Sequence, residues 1–159
     1  MADKTTTTPR SEQKIVARID RVRLAYKKAE RNKSKSAQYK YLRSVLRAYE
    51  YFDDNDLLDY LVEIAPCVLM VTVRSGQHSI RTIIDASCKN DDRKLRSRWT
   101  RGLQFALARK VPADDLPTFL KANNGISGCA DLASKIGLTS AQVVGSRKFS
   151  TFARRLPIL

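Results

Sequence analysis

Apolar residues recur at three- and four-residue steps along most of this chain, and that period is the strongest constraint on its fold. The clearest case lies between Asp91 and Lys110, where Leu95, Trp99, Leu103 and Ala106 form one stripe and Phe105 and Leu107 widen it. Two aspartates open that segment and Arg109 and Lys110 close it, as the helix dipole favours. Ile15, Ile19, Val22, Tyr26 and Ala29 repeat the pattern in a helix ending near Asn32, with Ser11 as its expected cap. A second helix, capped by Ser36, carries Leu42, Val45, Leu46, Tyr49 and Phe52. A third, capped by Asn55, carries Leu57, Leu58, Leu61 and Ile64, and Pro66 is expected to end it. The fold class is therefore mainly α, a helical bundle.

Between these helices the signal is weaker. Cys67 to Val73 is a continuous apolar run, followed by the turn signal RSGQ and the segment HSIRTIIDASC. Runs that short fit a buried strand as well as a buried helix. A helix over the second segment is expected, with a small β-hairpin near 67–84 left open. Pro112 stops the Asp91 helix, and a short helix over Thr118–Ala122 ends at NNG. The organisation read from this pattern is a disordered arm at 1–10, a basic helical region at 11–64 and a helical region at 65–159.

Charge narrows the range of partners. Thirty Lys and Arg against sixteen Asp and Glu give a net charge of +14 over 159 residues. The charge is uneven: +9 over residues 1–50, −3 over 51–90 and +8 over 91–159. Balanced, solvated helix faces would not produce that asymmetry, whereas a polyanion-binding surface would. Double-stranded DNA is the expected partner, with RNA as the alternative. On the Asp91 helix, Lys94, Arg98 and Arg101 fall on neighbouring turns beside the apolar stripe and suit a track of phosphates. Trp99 belongs with the core, although an exposed indole there could stack on a base. Tyr39, Tyr41, Tyr49 and Tyr51, interleaved with Lys40, Arg43 and Arg47, carry the RNA alternative, because aromatics among cations can bind single strands. The apolar seam at 15–29 could pair two chains in a homodimer, although packing against the second helix is its default use.

From Cys129 to about Phe149 the chain resembles a helix-turn-helix. Leu132 and Ala133 match the apolar and small positions of a first helix, and Gly137 follows Ala133 by four residues. Thr139 can cap a second helix, and Val143 would pack it back onto the first. The resemblance implies base reading in the major groove by Thr139, Ser140 and Gln142, with Arg147 and Lys148 on phosphates. Gly145 departs from the pattern and would end the reading helix early. What the resemblance implies is a sequence-specific DNA-binding protein, a transcriptional regulator or accessory factor of a phage, plasmid or chromosome. The alternative is an RNA-binding or packaging protein in which this hairpin is structural.

Enzyme chemistry finds little support. His78 to Arg81 spells HxxR, similar to a fragment of the tyrosine recombinase motif, but the last tyrosine, Tyr60, lies upstream. A single histidine excludes a multi-histidine metal site, and no GxSxG or phosphate-binding glycine loop is present. Asp53, Asp54, Asp56 and Asp59 straddle a turn, where capping and solvation explain them. Cys67, Cys88 and Cys129 form no CxxC pair, although Cys129, near a helix start, could have a lowered thiol pKa. The longest apolar stretch, Ile64 to Val73, is too short to span a membrane, and the N-terminal segment has no secretory pattern. A cytoplasmic protein, nucleoid-associated if bacterial, with no catalytic residues, cofactor, metal or membrane partner is the resulting expectation.

Overall fold

In the computed structural model, residues 10–89 and 92–137 are described. They form seven α-helices and a 3-10 turn, and no strand occurs among them. The helices are α1 (Arg10–Asn32), α2 (Lys35–Asp54), α3 (Leu58–Val68), α4 (Ser79–Ser87), α5 (Arg93–Ala108), α6 (Leu116–Ala122) and α7 (Gly125–Lys135). The 3-10 turn, Ala113–Asp115, precedes α6. None of these helices is long and apolar enough to cross a membrane.

The helical seams become the core. Ile15, Ile19, Val22 and Tyr26 of α1 meet Leu42, Val45, Leu46, Tyr49 and Phe52 of α2. Into the same cluster α4 contributes Ile80, Ile83 and Ile84, and α5 contributes Trp99 and Leu103. The cluster runs from Ile15 to Ala133 and crosses residue 64 without a break. Of the α1 seam considered for pairing two copies through 15–29, Ile15, Ile19, Val22 and Tyr26 are buried within this core and Ala29 is partly buried. Trp99 is 3% exposed and meets Tyr41 edge-on at 5.5 Å, so it is core and not a base-stacking platform. Tyr39, Tyr41 and Tyr49 are buried as well. Those three rings offer no stacking surface to a single strand, and Tyr51 is covered by the guanidinium of Arg18 at 4.0 Å.

Several boundaries differ from the sequence expectation. Ser34, not Ser36, caps α2, its hydroxyl accepting from the Ala37 N–H at 3.1 Å. Ser11 lies inside α1, and Asn55 ends α2 instead of starting α3. Pro66 sits within α3 and does not end it. The ring removes one backbone bond near the end of the helix, while burial of Leu58, Leu61, Ile64 and Ala65 holds the helix in place. The Ala65 carbonyl then accepts from both Leu69 and Val71 N–H groups, and Met70 turns left-handed at φ 56° to end the helix. The hairpin considered near 67–84 does not form. Its first half is the end of α3 and an irregular connection, and its second half is α4. His78 decides the latter, because its Nδ1 accepts from the Ile80 N–H at 3.1 Å and caps the helix.

At the other end of the molecule α5 and α7 press together over Gly102. A Cβ placed on Gly102 would stand 2.3 Å from Cδ1 of Ile126 and 3.0 Å from its carbonyl oxygen. Glycine is what lets the two helices approach this closely. None of the three cysteines forms a disulfide, and Cys67 is exposed while Cys88 and Cys129 are buried. Burial pushes the Cys129 thiol up to about 11, the reverse of the lowered value considered from its place near a helix start.

Candidate polyanion-binding groove

The connection from Met70 to His78 folds beside α4 and α5 and leaves a groove of about 840 Å³ between them. Each wall has a local cause. Residues 74–77 form a turn in which the Gln77 N–H donates to the Arg74 carbonyl at 3.0 Å, with Gly76 at φ 73° supplying the left-handed step. Gln77 Nε2 reaches the Thr82 hydroxyl at 3.2 Å and ties that turn to α4. On α5 the residues facing the groove are Arg93, Arg96, Ser97, Thr100, Arg101 and Gln104. Their three- and four-residue spacing makes one polar helix face beside the apolar stripe.

Five arginines line this groove, namely Arg74, Arg81, Arg93, Arg96 and Arg101, and Asp85 is the carboxylate among the lining residues. Asp85 Oδ1 accepts from Arg81 Nε and from Arg96 Nη1, both at 2.9 Å. Arg81 Nη1 also donates to the Ser97 hydroxyl at 2.9 Å. These side chains are recessed: Arg81 is 20% exposed, Arg96 18% and Asp85 13%. Two guanidiniums share one carboxylate, so the floor of the groove keeps a net positive charge in a partly desolvated place. Fields there are stronger than at an open surface. Nε of Arg96 and Nε2 of Gln104 are buried and have no hydrogen-bond partner among the described residues. Arg74, Arg93 and Arg101 are more exposed and stand around the lip.

Of the cations expected to track phosphates, Arg101 is in this groove and donates to the Ser134 hydroxyl of α7 at 3.1 Å. Lys94 and Arg98 are exposed on the adjoining face of α5 and do not line it. Thr139, Ser140, Gln142, Arg147 and Lys148 lie outside the described residues. Gly137 has φ 70° just after α7, a conformation that ends helices of every function. Sequence reasoning missed Arg74, Arg81, Arg93, Arg96 and Gln104 as members of one site. Both members of the HxxR pair line the groove, and His78 is 3% exposed with its ring stacked on Tyr49 at 5.5 Å. Among the described residues no group of three or more His, Cys, Asp or Glu side chains is arranged to hold a metal ion. No family model, curated protein or solved structure matches the chain.

Proposed function

We propose that this protein is a non-catalytic DNA-binding protein that holds duplex phosphates along the groove between α4 and α5. The observation that carries the reading is the ratio of five arginines to one carboxylate in a single groove. Arg74 and Arg93 at the lip take backbone phosphates, and Lys94, Arg98 and Arg101 extend the cationic surface along α5. Guanidiniums suit this task because they stay charged and present a planar fork of donors. Base reading is assigned to Thr139, Ser140 and Gln142, with Arg147 and Lys148 on neighbouring phosphates, by resemblance to the helix-turn-helix alone. On this reading the protein serves as a regulator or accessory factor on DNA.

Fluorescence anisotropy with a random-sequence duplex and a single-stranded RNA of equal length tests the proposal. The duplex is expected to bind more tightly, and its affinity to fall by orders of magnitude between about 50 and 200 mM salt. The double variant Arg74→Ala/Arg93→Ala should weaken binding to all duplexes alike and flatten the logarithmic salt slope by about 2. A preference for the RNA, or an unchanged slope in the double variant, would overturn the assignment.

A further inference from the structure

The groove has two levels, and they suit different phosphates. A duplex presents its internal phosphodiesters on a convex surface, within reach of the lip. Arg81 and Arg96 lie deeper, with four-fifths of each side chain covered, and a group at the end of a chain can enter where a rod cannot. Such an end group is a phosphomonoester, which carries about −1.5 to −2 charges against −1 for a diester. The floor is built for that excess. Asp85 fixes both guanidiniums through one oxygen, Ser97 takes Nη1 of Arg81, and the buried Nε of Arg96 has no partner among the described residues.

A second observation sets the size of the ligand. Gln104 is 2% exposed, lines the same groove, and its amide Nε2 has no acceptor among the described residues. A buried donor left unpaired is destabilising, and a ligand oxygen or ring nitrogen would satisfy it. Arg96 and Gln104 are eight residues apart on α5, about 12 Å along the helix axis. A free phosphate ion cannot bridge that span, whereas a phosphate carrying a sugar and a base can. The groove volume of about 840 Å³ also falls within the range of small-molecule sites.

We propose that the floor of the groove binds the phosphomonoester of a nucleotide, with Arg81 and Arg96 on the phosphate and Gln104 on the sugar or base. This rests on the reading of the groove as a phosphate site. The nucleotide is either the phosphorylated end of a strand or a free mononucleotide. One duplex sequence is prepared with a 5′-phosphate, with a 3′-phosphate, or with hydroxyl ends only, and binding is measured at about 200 mM salt. AMP and inorganic phosphate serve as competitors.

The expected result is about tenfold tighter binding of one phosphorylated form, with AMP competing well below the concentration that inorganic phosphate needs. Arg96→Lys should abolish the end preference, and Gln104→Leu should weaken AMP but not inorganic phosphate. The end preference of the unaltered protein stands as a test even if either variant fails to fold. Tight AMP binding with no end preference supports the site and assigns it to free nucleotides. AMP binding in a protein that ignores DNA keeps the site and removes the DNA-binding reading. Equal affinity for all three duplexes with no competition by AMP overturns the site, while salt-dependent duplex binding persists. Equal competition by phosphate and AMP overturns the role of Gln104 and the nucleotide with it.

Discussion

Asp85 lines the groove and ties its two helical walls together. Its carboxylate holds Arg81 from one turn earlier on α4 and Arg96 from across the interface on α5. Replacing it with Asn leaves two partly buried guanidiniums facing each other without a counter-charge. Asp85→Asn should therefore cost about 3 kcal/mol of stability, read as a lower urea midpoint with an unchanged slope. The groove would meanwhile become more positive, so affinity for random duplex should hold or rise. Stability and affinity are expected to move in opposite directions. A side chain serving only the fold would leave affinity untouched.

At the scale of elements, the helices were legible wherever a buried seam repeats. The stripes at Ile15–Tyr26, Leu42–Phe52 and Leu95–Ala106 all became core, since a helix that buries one face must repeat its apolar residues at that step. Ends were less legible, because Ser34 and Ser36 are equally good caps in sequence and only packing chooses between them. Pro66 was misleading for a related reason, as tertiary burial outweighs one lost backbone bond. The groove itself could hardly be read in advance. Arg81 and Arg96 are fifteen residues apart on different helices, and nothing in their spacing says that one carboxylate will join them. Two signals were present in the sequence nonetheless: the Arg81–Asp85 step of four, and Gln104 standing alone in the apolar segment GLQFALA. At the same scale, the approach of α5 to α7 depends on Gly102. Gly102→Ala should lower stability by about 1–3 kcal/mol despite alanine's better helix propensity, because Ile126 and its backbone carbonyl must give way. Thermal unfolding followed by far-ultraviolet circular dichroism measures it, and a neutral or stabilising result would mean that α7 can slide at no cost.

For the whole molecule, alkaline pH is the condition that tests the core. Burial raises both the Cys129 thiol, to about 11, and the Tyr41 hydroxyl, which donates to or accepts from Ser87 at 2.9 Å. Each group holds its proton more tightly folded than unfolded, so the stability it confers is intact below the unfolded pKa and lost as pH rises. For Cys129 that window runs from about 9 to about 11, with a loss on the order of 2 kcal/mol. Chemical denaturation at intervals across that range should show stability falling. The fall should be shallower in Cys129→Ala, whatever that substitution costs in packing. An identical slope in the variant would rule out the thiol as a cause.

The three cysteines differ in one further respect. Cys88 and Cys129 are sealed in the core, and Cys67 stands exposed near the end of α3, three residues before Met70 at the rim of the groove. The chain thus carries one chemically addressable thiol, and it lies next to the surface of greatest interest. A maleimide dye or spin label would attach there in the native sequence, giving the groove an optical or magnetic reporter with no engineering of the protein at all.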